Sequence, residues 1–384
     1  MPLLLLAYLG FISLGLPDGL LGVGWPHMRA EFGAPVGAVG FILVVATAGY
    51  LLASVSAGFV LSRAGVGWLL AGSTGLTGTA LAGFAAAPAL PAVVAAALLL
   101  GLGAGAIDSG LNAYAARHFG ARHMNWLHAS FGFGATLGPL VMTGALAAGL
   151  TWRAGYGVVA LGQVGLAVGF LATVRAWRDG VRARPAPVPA VPAPVAPRVL
   201  RTLGLPAVWR GAAAFGVYAG VELGAGLWAY TLLTGARGVG EQLAGLAVAG
   251  YWGSLFAGRL LFGAVADRAG THRVITGSVA GLVAGAALVA VPAPGALAVA
   301  GLVLVGLAAA PVFPLLTLTT AERVGDGHAD RAIGVQIGAA ALGGTVLPAG
   351  IGALIGRLGP EVLGPCLLLL ALTLAGIYLS TRQR

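Results

Sequence analysis

The sequence predicts an all-α membrane protein with about twelve spanning helices in two pseudo-symmetric bundles of about six. Three observations lead there. The chain is 59% hydrophobic and only 8% charged. Apolar runs of about 20 residues recur along its whole length, each long enough to cross a bilayer. A short segment of the first half also returns in the second, at a spacing close to half the chain.

The composition excludes an ordinary soluble domain, where roughly a quarter of residues are charged. Mean hydropathy is +0.96. The 65 glycines suit membrane helices, which approach closely through small residues, and would weaken water-soluble ones. Cys366 is the single cysteine, so no internal disulfide can form. The opening MPLLLLAYLG lacks a basic start, and no small-residue cleavage pattern follows before Asp18. It reads as the first spanning helix rather than a signal peptide.

In order, the apolar runs begin near Pro2, Gly37, Trp68, Ala92, Asn125 and Ala154. They resume near Gly211, Gln242, Val274, Gly295, Ala332 and Glu361. The expected division is a first bundle over 1–176, a linker over 177–205 and a second bundle over 206–384. The linker carries RPAPVPAVPAPVAPR, a Pro/Ala stretch with little to bury, which should be extended. With a cytoplasmic N-terminus, only Arg29, Arg153, Arg237 and Arg357 fall outside and Arg259 lies within a helix. Every other arginine falls on the cytoplasmic side, as the positive-inside rule requires. The net charge of +10 is therefore a topology signal, and no nucleic-acid partner is expected.

The internal repeat is plainest between Gly58-Phe-Val-Leu-Ser-Arg-Ala-Gly65 and Gly263-Ala-Val-Ala-Asp-Arg-Ala-Gly270, which share Gly, Val, Arg, Ala and Gly. At nearly the same spacing, Asp18 of the first run corresponds to Glu222 of the seventh. Parallel repeats joined by a long cytoplasmic linker are an architecture of secondary transporters.

Ionisable residues inside such helices are costly, roughly 2.5–3.5 kcal/mol for a central aspartate, and so mark function. Asp18, Asp108 and Glu222 are the candidate proton-coupling groups: a coupling carboxylate must be neutral in one state and charged in another. The alternative for each is a hydrogen bond in helix packing. Asn112, one turn beyond Asp108, either orients it or contacts solute. Asn125, Trp126, His128, Glu222, Trp228, Tyr230 and Gln336 complete the candidate solute-binding set, because sugars pack C–H faces on rings and give hydroxyls to polar groups. Arg259 is a conformational or gating candidate from its place in a helix. Arg259 has two readings, a cationic partner for Glu222 or, preferred, a side chain reaching the interface beside Asp267. Gly101-x-Gly103-x-Gly105 lies inside an apolar helix with no preceding strand and is read as helix packing, not a nucleotide loop. No metal-ligand spacing and no nucleophile–base pair is evident, so no cofactor, metal or enzyme activity is expected.

Over its whole length the chain resembles the major facilitator superfamily. The Gly263–Gly270 segment, followed by Arg273, resembles that family's loop motif between the second and third helices of each bundle. The first copy differs, with Ser62 where aspartate is expected. Within the superfamily, the fucose/galactose/glucose–proton symporter branch is most similar. The similarity is carried by Pro17-Asp18-Gly-Leu-Leu with Trp25-Pro26, Asp108 to Gly120, Asn125 to Ala135, and Pro311-Val-Phe-Pro314 with the Gly338–Pro348 run. That branch has glutamines where this chain has His128 and Glu222.

The resemblance implies alternating access between the two bundles and a proton-coupled carrier of a small hydroxylated solute, a sugar above all, bound near the midplane between them. The expected setting is a bacterial inner membrane, with a multi-pass chain, both termini cytoplasmic, and a monomer. Gly134-Ala-Thr-Leu-Gly138-Pro139 also resembles a motif of drug–proton antiporters, so a drug or lipid antiporter remains the alternative. A sodium-coupled sugar carrier is another. These family resemblances alone imply that Arg63, Gly138, Pro139, Asp267 and Arg268 are conformational or gating candidates.

Overall fold

The computed structural model describes residues 2–119, 121–177 and 199–382. Each expected apolar run has its helix: α1 (Pro2–Glu31), α2 (Val39–Ala64), α3 (Val66–Ala86), α4 (Leu90–His118), α5 (Ala121–Ala147) and α6 (Trp152–Ala172). After the short α7 (Val199–Leu203) come α8 (Pro206–Gly235), α9 (Glu241–Ala269), α10 (Thr271–Ala290), α11 (Gly295–Ala309), α12 (Val312–Leu318), α13 (Thr320–Val324), α14 (Asp326–Leu358) and α15 (Leu363–Arg382). Among the described residues there is no strand, and 11 segments are long and apolar enough to cross a membrane, one of them running from α11 into α12. The protein is a multi-pass helical membrane protein.

Most of the expected linker lies outside the described residues. Its ends differ from an extended chain. Trp177 is fully buried against Tyr114 and Phe170, and Val199–Leu203 is helical. The indole of Trp177 has enough apolar area to join the first bundle's core despite its place at the edge of a Pro/Ala-rich stretch.

The chain forms two compact units. Unit 1 holds Met1–Arg184 with Glu241–Gly253, and unit 2 holds Pro185–Gly240 with Ser254–Arg384. The first half of α9 therefore belongs to unit 1, where Gly245 abuts Thr143 of α5.

Within unit 1, α1 packs chiefly on α5, α2 on α4, and α3 on α4 and α6. Unit 2 repeats the scheme with α8 on α14, and α10 on α11 and α15. Small residues make these approaches possible. A Cβ added at Gly15 or Gly19 would meet the backbone of Ala135, and one at Gly344 would meet Ala219 and Leu223. The small partner has changed helix between the copies, but the register is the same. In that register Asp18 and Glu222 occupy one position of the repeat.

The repeated loop motif ends on a glycine for a backbone reason. Gly65 has φ +79° and Gly270 has φ +88°, and each is the single residue that turns one long helix into the next. Side-chain-bearing residues adopt that conformation only with strain.

At the opposite end of each unit an arginine ties helix ends together. In unit 1, Arg153 at the start of α6 pairs with Glu31 at the end of α1 at 2.6 Å, and donates to the Ala85 carbonyl in the last turn of α3 at 2.9 Å. In unit 2, Arg237 after α8 pairs with Glu361 before α15 at 2.6 Å. It also donates to Val289 O at 3.0 Å and Ala293 O at 2.8 Å, around the end of α10. The brace is repeated with its charges exchanged. Because the Arg237 side chain is 1% exposed and Glu361 is 44% exposed, the carbonyl contacts should matter more than the ion pair. Arg237→Met should lower the melting temperature in detergent by several degrees, the consequence of unsatisfied buried carbonyls at roughly 1–3 kcal/mol. Glu361→Gln should lower it far less, and equal losses would refute this ranking.

Candidate functional site

Membrane helices expose no water to their polar groups, so each must find a partner within the protein. Asp108 does so completely. Tyr50 of α2 donates its hydroxyl to Asp108 Oδ2 at 2.6 Å, and Asn112 Nδ2 donates to Oδ1 at 2.8 Å and to the Asp108 carbonyl at 3.0 Å. Asn112 reaches Asp108 because residues four apart share a helix face. Tyr50 reaches it because Gly105 lets α4 approach the Tyr50 backbone, where a Cβ would collide. All three residues are half-buried. No ion pair involves Asp108 among the described residues, so its hydrogen-bond donors are neutral.

The second buried carboxylate is arranged otherwise. Glu222 of α8 forms an ion pair with Arg259 of α9, with Nη2 to Oε1 at 3.0 Å, and their side chains are 11% and 22% exposed. This corrects the preferred sequence reading of Arg259, which placed it at the interface beside Asp267. The physical reason is that a guanidinium within a spanning helix gains more from a carboxylate at its own depth than from stretching to the interface. The Asp267 side chain lies outside the described residues. Asp18, at the same repeat position as Glu222, is exposed on α1.

The remaining candidates divide into open and enclosed. Trp126 is 53% exposed. His128 is exposed, with its ring edge-on to Phe11 at 5.2 Å. The Asn125 side chain lies outside the described residues. Three expected solute contacts are enclosed in this structure and have packing roles in it. Trp228 is fully buried, its indole N–H donates to the Pro348 carbonyl at 2.8 Å, and its ring fills the space over Gly352. Tyr230 is buried in the same helix, and Gln336 is fully buried, accepting from the Thr320 hydroxyl at 2.9 Å. An aromatic or amide in a spanning run is as well used to satisfy a neighbour as to meet a solute, and sequence pattern does not separate the two uses.

Among the gating candidates, Gly138 sits where α5 meets the Leu16–Leu20 backbone of α1, and Pro139 abuts Gly19. Arg63 is exposed and stacks over Phe59 at 3.5 Å, and Arg268 is exposed. Tyr50 was not anticipated. Its one signal is that it is the lone tyrosine of a run otherwise aliphatic, small or hydroxyl-bearing apart from its phenylalanines. A buried Tyr usually needs a partner for its hydroxyl.

These features define a polytopic helical transporter with a partnered carboxylate inside each repeat. The family model of the Major Facilitator Superfamily matches residues 7–348, and the chain belongs to that superfamily. Among solved structures, the nucleoside transporter NupG is similar at 15% identity, with 99% of each chain covered and a TM-score of 0.76. A D-xylose–proton symporter is similar at 17% identity, covering 97% of this chain and 96% of that one, with a TM-score of 0.71. No curated protein sequence matches the chain.

The Glu222–Arg259 contact has a direct check. Arg259→Gln and Glu222→Gln should each lower thermal stability, and the double variant should recover part of the loss, with a coupling of about 0.5–3 kcal/mol. Additive losses would show that the two side chains do not interact.

Proposed function

We propose that the protein is a proton-coupled symporter of a small hydroxylated solute, a sugar in the first instance, working by alternating access. The observation that carries this reading is Asp108: a carboxylate in a spanning helix, both oxygens held by neutral donors, with no cation beside it among the described residues. A proton is the counter-charge such a group can take up and release. Tyr50 and Asn112 keep the carboxylate oriented in either protonation state, since a hydroxyl and an amide can each donate to a charged oxygen and accept or yield to a protonated one. Glu222 is neutralised by Arg259, which makes it a secondary coupling group or a hydroxyl acceptor for solute.

The xylose–proton symporter and nucleoside transporter of like fold both carry molecules bearing sugar hydroxyls, which agrees with this choice. The sugar–proton branch is the proposed placement within the superfamily. The proposed setting is a bacterial inner membrane, with both termini cytoplasmic and a single chain as the working unit.

In proteoliposomes, an inward proton gradient should drive accumulation of a radiolabelled sugar found from a panel of hexoses, pentoses and nucleosides. Asp108→Asn should abolish gradient-driven accumulation and keep solute counterflow, because the amide imitates the neutral acid and cannot release a proton. Tyr50→Phe should reduce accumulation without abolishing it. Full pH-driven uptake by Asp108→Asn would refute the assignment, and uptake driven only by sodium at equal pH would replace the proton as coupling ion.

A further inference from the structure

A cavity with an apolar wall and a basic rim lies in unit 1, where α2 and α4 end and α3 begins. It has a volume of about 340 Å³ and is lined by Leu61, Ser62, Val66, Tyr114, Arg117 and His118, among others. None of its lining residues is acidic. We propose that this cavity binds the phosphate of an anionic phospholipid headgroup.

Three features of the site favour an anion. Arg117 supplies a fixed positive charge on the cavity wall. His118 sits beside it in a set orientation. Its ring stacks on Tyr114 at 4.1 Å, and Nδ1 lies 2.9 Å from the Tyr114 carbonyl. A carbonyl only accepts, so Nδ1 carries a proton, and a proton taken up on Nε2 would make that nitrogen a charged donor to a phosphate oxygen. The third feature is the N-terminus of α3, a helix of 21 residues whose first residue, Val66, lines the cavity. Its preceding residue, Gly65, provides no side-chain cap, so the first amide N–H groups of the helix are available to an oxyanion.

Two features favour a lipid over a soluble phosphate. On α2, Leu52, Val55 and Phe59 are 62%, 87% and 62% exposed, and with Ser62 they recur at three- and four-residue steps along one stripe. The stripe ends at the cavity, and its length from Leu52 to Ser62 is about 15 Å, near half the thickness of a bilayer's hydrocarbon core. An acyl chain can therefore lie on the stripe while its headgroup enters the cavity. Arg63, stacked on Phe59 at 3.5 Å, marks the level where apolar surface gives way to polar.

The departure of the first loop motif from the second makes the cavity suitable. At the repeat position of Ser62 the second copy has Asp267. A carboxylate there would oppose a phosphate. Ser62, which donates to the Phe59 carbonyl at 2.8 Å, leaves the cavity without negative charge.

The test uses the full-length protein in mixed micelles, with melting followed by intrinsic tryptophan fluorescence. Binding to the folded state raises the melting temperature by mass action. Phosphatidylglycerol should raise it by several degrees over phosphatidylcholine in the unaltered protein. Ser62→Asp and Arg117→Gln should both lose that rise while melting in phosphatidylcholine near the unaltered value. Arg175→Gln, an exposed arginine outside the cavity, should keep it. A rise retained in Ser62→Asp and Arg117→Gln overturns the site, as does its loss in Arg175→Gln, which indicates a diffuse basic surface. An equal rise from glycerol phosphate or inorganic phosphate in phosphatidylcholine overturns the lipid as occupant. Should Arg117→Gln fail to fold, Ser62→Asp decides alone, because a serine-to-aspartate change on an exposed turn leaves helix packing intact.

Discussion

The low-dielectric interior of a spanning helix bundle leaves a polar side chain two options: a partner inside the protein or a place at the water boundary. Much of the polar organisation here follows from that constraint. Hydroxyls along the helices return to the carbonyl one turn back, as Ser56, Ser73, Thr136 and Thr345 do. The indole N–H of Trp228 donates to the Pro348 carbonyl of α14 at 2.8 Å. Charged groups meet the same demand in larger assemblies. Arg237 gathers carbonyls of the α10 terminus along with Glu361, and Asp108 gathers a tyrosine and an asparagine. Stability and chemistry are thus supplied by the same rule, applied at different depths.

The repeat shows how a duplicated scaffold keeps geometry while changing chemistry. The helix pairing recurs, and the register that seats Ala135 between Gly15 and Gly19 recurs in Gly344 against Ala219 and Leu223. What recurs between the copies is the crossing itself, with neither the identity nor the combined volume of its residues kept. The terminal braces follow the same logic with charge. Glu31 and Arg153 on one side correspond to Arg237 and Glu361 on the other, so an ion pair at that place survives an exchange of its ends. Asp18 and Glu222 show the limit of the principle. They share a position, yet Glu222 is buried beside Arg259 and Asp18 is exposed.

Much of the fold was legible because hydropathy and length state it redundantly. Every apolar run became a helix, and the glycines closing the loop motif turned out to be left-handed turns between helices. The site was legible where a charge marked it and opaque where it did not. Asp108 and Glu222 stand out because a carboxylate in an apolar run demands explanation. Tyr50 was missed because a tyrosine does not, and its relation to Asp108 depends on a helix crossing that no single run encodes. Trp228, Tyr230 and Gln336 were opaque in another sense. Their residue types suit a solute, but their faces turn into the bundle, and an all-apolar helix offers no periodicity by which to read the face.

The contrast between Asp108 and Glu222 carries the functional argument furthest. Two carboxylates that both meet arginines would be equivalent ion pairs, and neither would have reason to bind a proton. Here the repeat has separated them. One has a permanent cation as its partner and contributes little net charge to its surroundings. The other is surrounded by neutral donors, so its ionised form leaves an unbalanced negative charge in the helix layer, and its protonated form leaves none. Under the proposed coupling role, a conformational change that alters hydration around Asp108 would alter its proton occupancy, and proton occupancy would alter which conformation is favoured. The same change at Glu222 rearranges a pair whose total charge is already zero. The asymmetry leaves one bundle with a carboxylate among neutral donors and the other with a charge-neutral pair, and under the coupling role proposed for Asp108 that difference is what would link solute to proton.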